Sequence, residues 1–480
     1  MDSWDWEFLE SEVTADAFVV TDAGPLFGPV TRFTLVRDED LNLMLHTTSA
    51  GDSTNRAIER PPGSVYVSTD EVKLESRFGA RATAIGLIPR SHSRATTLST
   101  QAMVTTQTSS IHSLRWERLE ASEPRYIMEW VANLSGKFHW PHSDNIHETG
   151  EKRRTLHSPR GEIVLSMPIR STHSSRSCVH LMIDGVEFFV GESRAKAQFI
   201  EKPGFILYNG TPDEATRSKI RDCLSFCLGN FLVYLGDTAF DTEWCPVAFH
   251  AKSGHALVKE APRLSAMQPA PLGLRWQAEI TPELLGKMSS SLYKIYDTYS
   301  LQSAFWSYWH ALASPVHMTA AHFGAAIEGL QKIFVKTSGS GGEDKIIRDE
   351  PAWKDLSNRI SACIAEAELP DEAKRILTNK ARNLNLAPQS VVMERFFGAL
   401  GLKMGALESD VWANRNRAAH GGNADSDNAL RLIRENKVLL IMMNRILLAL
   451  GGGSDQYYDY YNLGRPTMGL AEPVRDDRPV

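Results

Sequence analysis

The sequence predicts a multidomain chain of mixed α and β class: an N-terminal β-rich region, sandwich- or barrel-like, followed by an all-α helical bundle. Three observations carry this expectation. Short alternating apolar runs between turn signals fill roughly the first 210 residues. Helical spacing of apolar residues takes over from about residue 282. A chain of 480 residues also exceeds what one ordinary core organises, so two or three domains are expected.

Taken in order, "TRFTLVRDEDLNLMLHTTS" reads as two strands around an acidic turn. "CVHLMIDGVEFFVG" reads as a hairpin on Asp184-Gly185, a dipeptide that readily takes the positive φ values of a two-residue turn. "SVYVSTDEVKLES", "GEIVLSMPIR" and "GFILYNG" add strands. "DEATRSKIRDCLSFCLGNF" then spaces Ile220, Cys223, Leu224, Cys227, Leu228 and Phe231 as one helix face, and "FLVYLGDTAFDTEWCPVAFH" returns to strand. The Pro-rich "APRLSAMQPAPLG" (261–273) is the expected linker. Beyond it, "PELLGKMSSSLYKIYDTYSLQSAFWSYWHALAS" and "PVHMTAAHFGAAIEGLQKIFVKT" read as the first two helices, the second opened by Pro315. Shorter helices follow over "PAWKDLSNRISACIAEAE", "PDEAKRILTNKARNL", "PQSVVMERFFGALGLK" and "LESDVWANRNRAA". A long last helix begins at an Asp425 or Ser426 cap. The resulting divisions are 1–275 (β-rich, with room for two subdomains and a helix near 213–231), 282–452 (helical) and 453–480, a tail with tyrosines for docking.

The hydrophobic fraction of 42% and charged fraction of 23% are those of a globular protein and exclude collagenous, mucin-like and disordered classes. "MDSWDWEFLESEV" lacks the order of a secretory signal. "VLLIMMNRILLAL" is too short to span a bilayer and carries Asn444 and Arg445, so it reads as a buried helix. Five scattered cysteines show no disulfide spacing, which points to a reducing cytoplasm. Residues 281–450 hold 20 Lys and Arg against 18 Asp and Glu, a balance of +2, which leaves −8 for the remainder. A polyanion is therefore better received by the C-terminal part.

"ANRNRAAHGG" (413–422) is the stretch with chemical content. On a continuous helix Arg415 and His420 would point about 140° apart. Gly421 and Gly422 allow the helix to stop, so that His420 can swing back from the turn. Arginine offers a permanently charged fork for phosphate, and histidine a base or acid near neutrality. Together they suit cleavage of RNA by its own 2′-hydroxyl without metal, with Asn416 positioning either group or hydrogen-bonding the phosphate. Two proton carriers are needed and one copy supplies one, so a symmetric homodimer is expected to complete the site.

"RNRAAH", followed by Gly-Gly and a long apolar helix, resembles the signature of the HEPN superfamily of helical ribonucleases. "HFGAAIEGLQKIF" and "NKARNLNLAPQSVVMERFFGALGL" resemble earlier helices of its Apea-type branch, found in bacterial anti-phage effectors. The resemblance covers about 290–450. The β-rich part is similar to the N-terminal domain of Apea-type proteins more loosely, through "YIMEWVANLSGKFHWP" and the opening strands. It implies a HEPN bundle with Arg415, Asn416 and His420 as catalytic residues. It also implies an endoribonuclease effector of abortive infection, cytoplasmic, with no cofactor, metal or membrane. The implied partners are RNA (transfer RNA among the candidates), a second copy, and a phage-derived protein trigger at the N-terminal region. The alternative it leaves is a catalytically silent HEPN dimer that binds nucleic acid or nucleotide as a sensor.

Other residues carry plainer readings. Glu328, in the apolar "GAAIEGLQ", either orients Arg415 or another cation in the cleft, or faces solvent, and Arg417 either meets RNA backbone or is a surface charge. Cys223 and Cys227 share a helix face, where core packing is favoured over metal ligation. His139, His142 and His147 in "HWPHSDNIH" are read as loop histidines rather than zinc ligands, and the aromatics of "SAFWSYWHA" as core rather than a base-stacking platform.

Overall fold

The computed structural model describes residues 7, 9, 13–50, 68–96, 103–134, 139–158, 161–193, 199–200, 203–254, 264, 268–273, 279–338, 344–415 and 426–476. These fall into two compact units. One is drawn from Met1–Arg221, Asn230–Ser265 and Leu272–Gly286, the other from Asp222–Gly229, Ala266–Pro271 and Lys287–Val480.

The first unit is β-rich. Its strands are β1 (Phe18–Asp22), β2 (Val30–Arg37), β3 (Leu43–Ala50), β4 (Glu71–Ser76), β5 (Ala80–Ile85), β6 (Ile88–Thr96), β7 (Met103–Ile111) and β8 (Ser113–Arg118). They continue with β9 (Tyr126–Val131), β10 (His142–Ser158), β11 (Gly161–Ile183), β12 (Val186–Glu192), β13 (Gly204–Tyr208), β14 (Tyr234–Phe240) and β15 (Pro246–Lys252). Eleven form a sheet ordered β1-β4-β5-β8-β15-β14-β9-β13-β12-β11-β10, and four form a second sheet ordered β2-β3-β7-β6. Neither sheet closes on itself, so the barrel alternative gives way to open sheets. The sandwich character is present: alternate residues of β2 and β3, Leu35, Leu43 and Leu45, share one core with Val72, Leu74, Ala82, Leu114 and Trp116 of β4, β5 and β8.

The hairpin β11–β12 turns at Asp184 (φ 49°) and Gly185 (φ 79°), the paired positive φ of a tight two-residue turn. Only Cys178–Ile183 of β11 pair with β12, while β10 and β11 stay paired from His142↔Cys178 to Ser158↔Gly161. A long two-stranded ribbon results. "HWPHSDNIH", expected as a loop, therefore runs into strand at His142, because the backbone satisfies itself across the ribbon without needing an apolar face.

Helix α1 (Glu214–Leu228) matches the expectation near 213–231. Ile220, Cys223, Leu224, Cys227 and Leu228 are all buried. The expected linker has buried members as well, since Leu264, Ala270 and Leu272 are inaccessible.

The helices that follow are α2 (Pro282–Ile295), α3 (Leu301–Ala313), α4 (Val316–Thr337), α5 (Glu350–Glu366), α6 (Asp371–Arg382), α7 (Gln389–Ala399), α8 (Ala406–Asn414) and α9 (Ser426–Gly451). The stretch expected as one helix over 282–314 is two, α2 and α3. Ser300 takes φ 50° between them, a left-handed conformation that stops helix propagation. In the second unit α9 is central: Val438 to Leu448 are buried all round, as a helix enclosed by others requires. Two short strands, β16 (Gln456–Tyr458) and β17 (Thr467–Gly469), order the C-terminal segment, where Tyr457 is fully buried and the Tyr460 hydroxyl donates to the Gln268 carbonyl at 2.6 Å. Among the described residues no helix is long and apolar enough to cross a membrane.

Candidate functional site

Helix α8 carries Arg415 at its C-terminal end. The helix is fixed at its start by Glu408, whose carboxylate accepts from the Gly405 N–H at 2.7 Å and pairs with Arg445 of α9, both side chains being fully buried. Burial raises the Glu408 carboxyl above the ordinary carboxylate value, and the Arg445 charge opposes that shift. Arg445 also donates to the carbonyls of Lys403 (3.0 Å), Leu470 (3.1 Å) and Ala471 (3.3 Å), so every nitrogen of its guanidinium is engaged. Trp412, one turn before Arg415, is fully buried.

Arg415 lies against α4. Its guanidinium carbon sits 3.7 Å from the centre of the Trp412 ring, and Nη1 donates to the Trp412 carbonyl at 2.7 Å. Nη2 forms an ion pair with Glu328 of α4. The aliphatic stem passes Gly324, one turn before Glu328, where an added Cβ would stand 3.3 Å from Arg415 Cδ and 3.4 Å from Nε. A glycine at this position lets the arginine lie close to the helix. Arg415 is 8% exposed, and its buried Nε has no hydrogen-bond partner among the described residues. The Glu328 side chain is 31% exposed, so the pair sits at the edge of the unit's interior.

Of the residues singled out in the sequence, Arg415 and Glu328 are brought together, which gives Glu328 the orienting place that one of its two readings assigned it. Asn416, Arg417 and His420 lie outside the described residues, as do Gly421, Gly422 and Asp425.

The chain matches no protein-family model, no curated protein and no solved structure.

The remaining candidates sort by burial. Cys223 and Cys227 are fully enclosed, and burial pushes the Cys227 thiol up to about 12, with a hydrogen bond from Ser289 opposing it. A thiol so raised is a poor metal ligand, and core packing accounts for both cysteines. None of the five cysteines is in a disulfide. Among the described residues no group of three or more His, Cys, Asp and Glu is placed to hold a metal ion. His142 Nδ1 accepts from the His180 N–H at 3.0 Å. In "SAFWSYWHA", Phe305, Tyr308 and Trp309 are buried, whereas Trp306 is 50% exposed and lies 4.1 Å from the His310 ring.

A charged cluster in the β-rich unit escaped the sequence reading. Glu129 of β9 is fully buried and pairs with Arg221 of α1 at 2.6 Å, with Arg217 at 3.4 Å, and Arg217 reaches Asp237 of β14 at 3.3 Å. The Arg221 guanidinium also lies over the Tyr234 ring at 4.1 Å. Burial raises the Glu129 carboxyl, with Arg221 and Arg217 pulling it back. A signal was present: Glu129 interrupts the apolar "YIMEWV", and Arg217 and Arg221 stand one turn apart on α1.

Proposed function

We propose that this chain is a metal-independent endoribonuclease of HEPN type that cuts RNA at a site shared by two copies. The observation that carries the reading is the incomplete pairing of Arg415. Its two terminal nitrogens are fixed by Glu328 and the Trp412 carbonyl, while Nε is left without a partner among the described residues. A buried N–H left unpaired costs about 1–3 kcal/mol, and a phosphate oxygen would satisfy it with a charge-assisted bond.

In this reading His420 takes the proton of the 2′-hydroxyl, whose oxygen attacks the adjacent phosphorus. Arg415 stabilises the added negative charge, and Asn416 positions the phosphate. The bond to the 5′-oxygen breaks as the second copy's His420 protonates the leaving oxygen. The products are a 2′,3′-cyclic phosphate and a 5′-hydroxyl, with atoms and protons balanced and no metal in any step. Glu328 acts through Arg415 and is a positioning residue. The setting proposed is cytoplasmic, an abortive-infection effector whose β-rich region receives a phage-derived protein trigger and whose RNA substrates include transfer RNA.

A second reading, the catalytically silent HEPN dimer that binds nucleic acid or nucleotide, draws on one observation: at 8% exposure most of Arg415 is already engaged within the fold. Incubating the purified chain with total RNA in EDTA separates the two. Fragments ending in cyclic phosphate support the nuclease, bound but intact RNA supports the binder, and RNA that is neither cut nor bound would refute both readings.

A further inference from the structure

We propose that the hairpin of α5 and α6 is a self-association surface whose occupant is the same hairpin of a second copy, laid antiparallel. The inference does not rest on ribonuclease activity, since neither Arg415 nor Glu328 belongs to the hairpin.

Helix α5 is 17 residues long and buries none of them; α6 buries only Ala381. Yet α5 is patterned for burial. Trp353, Leu356, Ile360 and Cys363 alternate in steps of three and four, the spacing of a coiled-coil seam. One neighbouring helix, α6, leaves that seam half covered. An open groove of about 370 Å³ runs along it, lined by Leu356, Ile360, Ile364, Leu369 and Leu377, with Arg359 at its rim. Leu369, Ile376, Leu377 and Leu384 are all exposed. Leu369 and Leu377 of these line the groove, and apolar surface left open along a helical hairpin marks a contact face.

The hairpin is also held in place. At its base Asn385 is buried, donates from Nδ2 to the Ile347 carbonyl at 3.0 Å and accepts from the Ile347 N–H at 2.6 Å, while its own carbonyl accepts from Ile346 at 2.8 Å. A surface fixed in this way loses little freedom when a partner arrives.

Charge selects the occupant. Arg359 and Glu366 are seven residues apart on α5, within about 20° of the same line along the helix, so they flank one rim of the groove. Arg359 pairs with Asp355 of its own helix at 3.0 Å, an exposed pair that costs little to exchange, and two-fold pairing with the copies antiparallel brings Glu366 of each to Arg359 of the other. The same operation lays the net-negative tip of the hairpin (Glu366, Glu368, Asp371 and Glu372, against Lys374 and Arg375) towards the basic end of the second copy's α6 (Lys380, Arg382). A parallel arrangement would set like charges together. The self-complementary pattern is the one an isologous interface requires.

Sedimentation equilibrium of the full chain provides the test, with three variants. Glu366→Lys with Glu372→Lys reverses the tip, Arg359→Glu with Lys380→Glu reverses the other end, and Leu377→Asp puts a charge in the groove. All these positions are exposed, so the fold is expected to survive each change. Each variant alone should sediment at about half the mass of the wild type. An equimolar mixture of the two charge variants should regain the wild-type mass, because each reversed tip then meets a reversed end. Arg415→Ala should retain the hairpin-dependent association. Equal masses for wild type and variants would overturn the proposal, as would a mixture that fails to regain mass. So would capture of a different protein on the groove by a wild-type chain that remains unassociated.

Discussion

Arg445 and Arg415 are two buried arginines of one helical unit, each paired with a glutamate, and they differ in how completely they are used. Arg445 has a carboxylate and three backbone carbonyls, is fully enclosed with Glu408, and joins α8, α9 and the C-terminal segment. Arg415 has one carboxylate, one carbonyl and a ring face; its glutamate is partly exposed, and Nε has no partner among the described residues. A cation whose donors are all taken has an architectural role. One whose buried Nε is unpaired among the described residues, beside a partly exposed glutamate, keeps a donor uncommitted within the fold. On the proposed reading Arg445 is architectural and Arg415 is the working group, and each half of that reading can be broken separately.

The largest effect is expected at the architectural arginine. Arg445→Ala leaves the Glu408 carboxylate buried without its counter-charge and should lower unfolding stability by about 3–5 kcal/mol. Replacing both partners, Arg445→Met with Glu408→Leu, should recover most of that loss. Urea denaturation of the two variants checks both statements, and a double variant as weak as the single one would show that the carbonyl contacts carry the stability.

At Arg415 the balance should invert. Arg415→Ala is expected to reduce RNA cleavage by about 100-fold or more. Its stability loss should be smaller than that of Arg445→Ala. A subtler disturbance tests the approach of the two helices: Gly324→Ala places a methyl 3.3 Å from Arg415 Cδ. Alanine favours the helix by about 1 kcal/mol, so stability should change little while cleavage falls several-fold. Equal losses in melting and cleavage would remove the distinction between the two arginines.

The smallest effect concerns pH. His322 on α4 is held below the usual histidine value by burial and by the neighbouring His310, and His250 of β15 is lowered chiefly by burial. The unfolded chain takes up protons near pH 6.5 that the folded one resists, so stability is fully present above about 6.5 and declines as pH falls below it. His322→Gln should make that decline shallower, as thermal melts between neutral and mildly acidic pH would register.

Much of this was legible in the sequence because it depends on neighbours along the chain. Asp184-Gly185 announced its turn through the φ values it tolerates, and the apolar run around Asn444 and Arg445 announced a helix buried all round. The break at Ser300 was hidden, since neither glycine nor proline marks it and the apolar spacing runs on through it. In β11 "GEIVLSMPIR" was legible as strand, whereas the polar sequence of β10, from His142 to Ser158, has no apolar alternation to announce it. The pairing of Glu129 with Arg221 joins residues 92 positions apart, a distance that local patterns do not encode, whereas the Arg415–Glu328 pair, 87 apart, was reachable only as one reading of a glutamate in an apolar helix. At the candidate site the motif named Arg415, Asn416 and His420, but the glycine and tryptophan that shape the arginine's surroundings became visible only in the fold.

The most direct test of Arg415 as a working group is the single-turnover cleavage rate of RNA in EDTA, measured for wild type and for Arg415→Ala at a temperature where thermal melts show both folded. Ribonuclease action through this guanidinium requires cyclic-phosphate products from the wild type and a rate about 100-fold lower or worse in the folded variant. Unchanged cleavage by the variant, or no cleavage by an RNA-bound wild type, would contradict it.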